Sequence, residues 1–539
     1  MKRKAVAVAL ALTVGFGAAV RSLLRTSGRE EYVAAALGQS EYRLDVASGR
    51  GRILDCRGEP LVDRELRTVA AVAPTISGTG ELDRLTEGRY RQRLRAALED
   101  GKPFLLEMDG PTARAAAALS EVTLFQVPER VSADQPAVQL IGQVNGMGQG
   151  VSGVELAWDD ALAGKGGSLS VTYPVDALGR VLAGASGTVA DSLESTAGGI
   201  ALTLDLSLQE MAEEVGAELG KGAVVITEAP GCEIRAMASF PGYSPADLEA
   251  AVADPDSPMI QRGLCAYAPG SVFKLVVAAA ALERGLPPER FTCTGSVNAD
   301  GLLFHCYGGL PHGEVDLQGA LARSCNCYFI SLGRSLGGQA VLGMAYDLGL
   351  GTAQEFGRGL TADSGSLPSA EELKNLRALA NFSFGQGAVT VTPLQLCAVV
   401  NAIADRGVYH SPRLLEGLAD GAGNVLPQPA ATDREVRVMK ESTARILQAG
   451  MEKVAREGTG QGADPGTGWV AVKTGTAQTG AFQGGQELLN YWYCGMVGAK
   501  EGQPRYCVTV LAEGTPDDKG AASRGFREAA RRLVEQIKE

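Results

Sequence analysis

Ala268–Glu283 reads APGSVFKLVVAAAALE. Pro269-Gly270 is a break, and the run behind it is apolar and helix-prone, so a helix is predicted over Pro269–Glu283. Ser271 then lies in the first turn, where free backbone N–H groups and the helix dipole favour developing negative charge. Lys274, three residues on, shares the face of Ser271. A serine hydroxyl is a poor nucleophile until a base takes its proton. A lysine is such a base only where burial or nearby cations depress its pKa. Leu275, Val276, Val277 and Ala278 supply an apolar setting of that kind. Taken alone, Ser-x-x-Lys also reads as an N-cap serine followed by a surface lysine. The pattern occurs once in the chain.

Working outward, Ser324-Cys325-Asn326 falls between two helical stretches, Asp316–Arg323 and Cys327–Leu332. Such a loop offers a hydroxyl for proton relay and an amide for a substrate carbonyl. Ser296-Val297-Asn298 repeats the pattern in a turn-rich stretch and reads as a turn. Lys473-Thr474-Gly475-Thr476 sits inside the strand-like VAVKTGTAQT. Glycine in a strand interior marks close approach of a ligand or another backbone. Alternation puts Lys473 and Gly475 on one face and Thr474 and Thr476 on the other. An ordinary edge strand with a surface lysine is the alternative.

Strands are predicted at Ala223–Ile226 and Glu233–Ser239, around Ala229-Pro230-Gly231, and at Trp469–Thr479, Tyr491–Ala499 and Arg505–Ala512. An amphipathic helix is predicted at Ser523–Ile537. Two early strands, a helical middle over Val315–Leu396, three late strands and a closing helix argue for one mixed domain with an antiparallel sheet fed from both ends. Upstream, Ser207 is the N-cap candidate for a helix to Leu219. Leu182–Gly199, rich in Gly, Ala and Ser, reads as a linker. At the N-terminus MKRK precedes the uncharged Ala5–Val20. This is an uncleaved anchor or a cleaved signal peptide; a helix-prone Arg29–Leu37 behind it favours the anchor.

Ser-x-x-Lys, Ser-x-Asn and Lys-Thr-Gly in this order resemble a class B penicillin-binding protein, a membrane-anchored peptidoglycan D,D-transpeptidase. The likeness extends to SGRGRILDCRGEPL, to GVSGVELAWDDALAG through Gly153 and Glu155, to LTLDLSLQ and to FGQGAVTVTPLQL, and so to nearly the whole chain after residue 40. Cys56, Cys232, Gln261 and Asn490-Tyr491-Trp492-Tyr493 depart from the family pattern. The resemblance implies an α+β fold: a transpeptidase domain of the penicillin-binding-protein/β-lactamase kind, with an antiparallel sheet of about five strands and helices on both sides. This domain stands on an elongated N-terminal α+β pedestal with a membrane helix. The implied division is 1–24 tail and anchor, 25–199 dimerisation-like pedestal and 200–539 transpeptidase domain, with no added glycosyltransferase domain or extra C-terminal modules.

The resemblance also implies roles. Ser271 attacks the penultimate D-Ala carbonyl of a stem peptide, and Lys274 takes its proton. Ser324 relays a proton to the leaving amine, Asn326 holds the peptide, and Lys473 tunes the site. Thr474, Gly475 and Thr476 bind substrate, with the N–H groups of Ser271 and Thr476 as the oxyanion hole. No cofactor and no metal is implied. Expected partners are stem peptides, β-lactams, a membrane glycosyltransferase and other cell-wall assembly proteins. The expected location is the cell membrane, single-pass, with the catalytic domain outside the cytoplasm. The alternatives are a serine β-lactamase, a β-lactam sensor or an idle scaffold.

Composition agrees with these readings. The 539 residues include 50 Lys+Arg against 62 Asp+Glu, a net charge of −12, which disfavours nucleic acid as a partner. Three histidines leave little for a multi-His site. Of ten cysteines, Cys293 and Cys306 bracket a hairpin-like stretch. A turn at Ala299-Asp300 would pair 298 with 301 and bring the two cysteines face to face, within reach of a disulfide. Zinc, with His305 and His312 near, ranks below that bridge.

Overall fold

The computed structural model describes residues 2–27, 40–182, 184–193, 198–286, 290–428 and 434–538. By packing, the chain divides into two compact units. The smaller holds residues 1–50, 63–130 and 164–197; the larger holds 51–62, 131–163 and 198–539. Residues 51–62 and 131–163, although they precede the 200–539 segment in sequence, pack with the larger unit.

In the smaller unit, Lys2–Ser27 is one helix, and its Val6–Arg25 segment is long and apolar enough to cross a membrane. The helix expected over Arg29–Leu37 lies outside the described residues. Glu65–Val72 is the centre of an antiparallel sheet between Phe104–Met108 and Val122–Glu129. A second sheet joins Glu41–Ser48, Ser168–Pro174 and Thr188–Asp191. The last of these strands lies in the stretch read as a linker: Thr188-Val189-Ala190-Asp191 pairs with 169–172 despite its exposed side chains.

The larger unit is built on five antiparallel strands, as the resemblance implies. In chain order its principal elements include α1 (Leu206–Gly216), β1 (Gly222–Glu228), β2 (Glu233–Phe240), α2 (Lys274–Glu283), α3 (Asn326–Leu336), α4 (Pro393–Ala404), α5 (Glu441–Glu457), β3 (Trp469–Gln483), β4 (Gln486–Gly498), β5 (Tyr506–Thr515) and α6 (Ala521–Lys538). The sheet order is β2-β1-β5-β4-β3. Strands β1 and β5 are continuous apolar runs because both their faces are covered. Helix α4 lies on one face, where Cys397 Sγ meets Thr227 Oγ1 at 3.3 Å. Helices α1 and α6 pack against the sheet as well, with Gly525 of α6 over Val510. The apolar stripe of α6 is Ala522, Phe526, Ala529, Ala530 and Leu533, a helical period facing inward.

Capping explains two of the family-like stretches. In LTLDLSLQ the N-cap is Asp205, not Ser207: its carboxylate accepts from the N–H of Ser207 and Leu208. In TPLQL, Thr392 and Gln395 form a reciprocal capping box with Pro393 in the first turn, starting α4.

Candidate active site

The predicted helix over Pro269–Glu283 starts as a 3-10 turn, Gly270–Phe273, and continues as α2. Ser271 is therefore held on a tight turn at the mouth of a buried apolar helix. Two glycines make room for that turn. Gly385 has φ +80, and a Cβ there would lie 1.9 Å from the carbonyl oxygen of Gly270. A Cβ on Gly475 would lie 2.9 Å from the carbonyl oxygen of Pro269 and 3.0 Å from Val272. The glycine inside β3 thus admits another backbone, that of the serine turn. Trp492 of β4 supports the same turn, its indole N–H donating to the Ala268 carbonyl at 3.0 Å.

Ser324 occupies the left-handed region at φ +51 between two helices, a conformation that costs a non-glycine residue energy. Asn326 opens α3. Lys274 is fully buried, and its ammonium donates to the Ser324 carbonyl at 2.7 Å, to Ser324 Oγ at 3.2 Å and to Asn326 Oδ1 at 2.7 Å. It also lies 5.6 Å from the centre of the Phe329 ring. Burial pushes its pKa down from 10.5 to about 7. Lys473, also fully buried, donates to Ser324 Oγ at 3.2 Å and to the Thr474 carbonyl at 2.7 Å. Burial, then the charge of Lys274, holds its pKa well below the usual lysine value. The alternation expected in β3 is present: Lys473, Gly475 and Ala477 are buried, while Thr474, Thr476 and Gln478 are more open.

Ser271, Ser324, Asn326, Thr474, Gly475 and Thr476 line one cleft of about 980 Å³. The cleft also contains residues to which the sequence reading gave no site role. Thr459 Oγ1 lies 2.6 Å from Thr474 Oγ1, and Tyr491 and Tyr493 enter from β4. Alternation along β4 around the buried Trp492 was the signal that could have found the two tyrosines. Asn326 is busier than its expected role implies, its amide nitrogen donating to the His305 carbonyl at 2.9 Å. One N–H of that amide is left for a substrate.

The neighbouring hairpin differs from the sequence reading. Ser296-Val297-Asn298, read as a turn, lies in the strand Ser296–Ala299, which pairs 296 with 305 and 299 with 302. The turn is Asp300-Gly301, one residue later, with both φ positive. Cys293 is outside this ladder, in Phe291–Cys293, and pairs with Gly313. Cys293 and Cys306 are nonetheless adjacent, their sulfurs 3.7 Å apart, and both thiols are free rather than bridged.

The penicillin binding protein transpeptidase domain family matches residues 222–534, more than half of the chain. The chain belongs to this family. Stage V sporulation protein D of Bacillus subtilis is 30% identical over 397 residues, covering 71% of this chain and 59% of that protein. Peptidoglycan D,D-transpeptidase PbpA of Mycolicibacterium smegmatis is 32% identical over 314 residues, covering 54% and 62%. The chain thus spans about three-fifths of the length of these curated relatives. The crystal structure of penicillin-binding protein 3 from Mycobacterium tuberculosis, complexed with aztreonam, shares the fold. Its TM-score is 0.65 at 21% identity, over 92% of this chain and 97% of that one.

Proposed function

We propose that this family member is a serine D,D-transpeptidase that cross-links peptidoglycan stem peptides through an acyl-enzyme and is acylated by penicillin. One observation carries the reading: Lys274, buried and held near a pKa of 7, lies on the serine helix and hydrogen-bonds both polar residues of Ser-x-Asn. A lysine with that pKa is half deprotonated near neutral pH, so it can accept a proton that an ordinary lysine would refuse.

In this reading the Ser271 oxygen bonds to the penultimate D-Ala carbonyl carbon while its proton passes to Lys274. The carbonyl oxygen takes the negative charge, facing the N–H groups of Ser271 and Thr476. Collapse breaks the peptide bond, and the terminal D-Ala leaves as an amine protonated by way of Ser324. The amine of a second stem peptide then attacks the ester, restores Ser271 and completes the cross-link. Hydrolysis by water in place of the amine would give D,D-carboxypeptidase activity. Lys473 keeps the Ser324 hydroxyl oriented, and Thr474 and Thr476 bind the terminal carboxylate. The name of the mycobacterial relative supports the reaction class.

The apolar helix at Val6–Arg25 supports a single-pass anchor with the larger unit outside the cytoplasm, where stem peptides are found. A membrane glycosyltransferase and other cell-wall assembly proteins are the proposed partners. The proposed division of labour is anchor 1–24, pedestal 25–199 and transpeptidase 200–539.

Labelling the protein with fluorescent penicillin tests the reading. A long-lived adduct on Ser271 that disappears in Ser271→Ala is expected. Rapid loss of label would make the protein a β-lactamase. The absence of any adduct on folded protein would make it a scaffold.

A further inference from the structure

Four candidate ligand atoms outside the proposed chemistry converge beside the Ser324 loop. They are the sulfurs of Cys293, Cys306 and Cys325 and a ring nitrogen of His312, all within 4.8 Å of one another. Cys306 Sγ is 3.7 Å from Cys293 Sγ and 3.8 Å from Cys325 Sγ, and Cys293 Sγ is 3.5 Å from His312 Nδ1. Zinc binds thiolate at ~2.3 Å and imidazole at ~2.0–2.1 Å in tetrahedral sites, so the edges of the tetrahedron are roughly 3.8 Å for S–S and roughly 3.6 Å for S–N. Three of the six edges, Cys293–Cys306, Cys306–Cys325 and Cys293–His312, match those lengths, and the other three lie within 4.8 Å, close enough for the ligands to close on one ion. Three thiols and an imidazole are also a donor set that suits zinc.

The surroundings suit thiolates. The Gly295 N–H points at Cys293 Sγ at 3.4 Å, and the Tyr328 N–H at Cys325 Sγ at 3.4 Å. Backbone donors of this kind hold metal-binding thiolates in place and stabilise their charge. The three cysteines are buried, and His312 lies on the wall of the cleft, which provides an entry path. Cys327 Sγ touches Cys306 Sγ at 3.5 Å but falls outside the four-atom group.

We propose that Cys293, Cys306, His312 and Cys325 form a structural zinc site that anchors the Ser324-Cys325-Asn326 loop. Sequence spacing alone ranks a Cys293–Cys306 disulfide above zinc. What reverses the order is Cys325, which sequence distance hides and which the fold brings to the same point as the nearby His312. On binding, each of the three thiols gives its proton to solvent and a sulfur lone pair to the metal, and no oxidant is needed. Cys325 is the middle residue of the loop, so a fixed Zn–S bond restrains Ser324 in its left-handed conformation and Asn326 at the head of α3. The inference stands on the donor geometry and does not depend on the transpeptidase reading.

The test is metal analysis of the full chain, purified in detergent from cells supplied with zinc. About one zinc per chain is expected, since four ligands close one tetrahedral site. Cobalt-substituted protein should show thiolate-to-cobalt charge-transfer absorption. Zinc affinity should fall by at least ~10-fold in Cys306→Ser and in His312→Gln, the lower bound for loss of even an outer partner. His312→Gln, at the cleft wall, covers the case in which Cys306→Ser does not fold. The proposal is overturned by wild-type protein without stoichiometric zinc, whether its thiols are free or bridged on non-reducing peptide mapping. It is equally overturned by zinc retained at full affinity in folded variants, or by cobalt protein without the charge-transfer band.

Discussion

Lys274 and Lys473 donate to the same hydroxyl, Ser324 Oγ, each at 3.2 Å. A serine oxygen has two lone pairs and can accept both, which leaves its own proton free to point away from the lysines. Two fully buried ammonium groups cannot share so small a space cheaply. Burial therefore disfavours the charged form of each, and for Lys473 the charge of Lys274 adds to that effect. The pairing gives a base poised near neutrality and a hydroxyl whose orientation depends on both amines.

The first consequence is a pH profile. Acylation by penicillin requires the neutral amine of Lys274, whose pKa is lowered to about 7. The rate should therefore climb as pH rises toward 7 and level off above it. Well below 7, each pH unit should cost about tenfold, as the neutral fraction falls by that factor. Stopped-time labelling from about pH 5.5 to 8.5 checks this, and a flat profile removes Lys274 as the titrating base.

Replacing the two lysines should separate their roles. Lys274→Ala should slow acylation by ~10²–10⁴, the usual cost of a lost general base. Lys473→Arg should retain more activity than Lys274→Arg. Arginine keeps the positive charge beside Ser324 but does not deprotonate near neutral pH. Labelling rates with circular dichroism as a folding control decide the order, and the reverse order ends this division of labour.

Gly385→Ala should be more damaging than its size suggests. The new Cβ would meet the Gly270 carbonyl oxygen at 1.9 Å, on backbone at φ +80. The clash pushes the serine turn away from the Gly385 backbone, and the left-handed conformation adds strain of its own. The expected loss is ~1–3 kcal/mol of stability from the backbone conformation alone, with strongly reduced penicillin labelling. Thermal unfolding and labelling measured together test it. A variant as stable and as reactive as wild type would show that the turn relaxes freely.

Much of the larger unit was legible because its signals are local. The apolar runs Ala223–Ile226 and Val508–Ala512 fall inside β1 and β5, and the stripe of α6 is visible as a period. Ser271, Lys274 and Lys473 stand out as candidates because their motifs are short and ordered along the chain. Two of the failures come from contacts between distant segments. Thr459 becomes a cleft residue only when the end of α5 reaches β3. Cys325 joins Cys306 only when the Ser324 loop folds over the hairpin. The hairpin register was mistaken by one turn position. Asp300-Gly301 was the better signal, since that pair takes the two positive φ angles a tight turn demands. The strand at Thr188–Asp191 carries no apolar alternation, so nothing in its composition marks it.

The last prediction concerns a long-range ion pair behind the serine turn. Arg262 is 3% exposed, and its Nε donates to Glu513 Oε2 at 2.6 Å. Its other nitrogens donate to the carbonyls of Ser257 at 3.1 Å and Asp256 at 2.6 Å, so the guanidinium is well satisfied. The same Glu513 oxygen accepts from the Tyr267 hydroxyl at 3.3 Å. Tyr267 in turn packs edge-on to Trp492 at 6.3 Å and bonds Val391 through its backbone, two supports of the Ser271 turn. Glu513→Gln keeps the shape but leaves a buried arginine without its counter-charge. Breaking such a pair from one side costs ~3–5 kcal/mol when it is fully buried. The Glu513 side chain keeps 24% exposure, so water softens the loss and about 3 kcal/mol or less is expected. The double variant Arg262→Met/Glu513→Gln should be less destabilised than the two single losses summed, because no charge is then stranded. Denaturant midpoints for the set measure the coupling, and strict additivity would show that the pair contributes no interaction of its own. Because the amide oxygen of Gln is a weaker, uncharged acceptor for both the Arg262 guanidinium and the Tyr267 hydroxyl, Glu513→Gln should also slow penicillin labelling under conditions where the protein is fully folded.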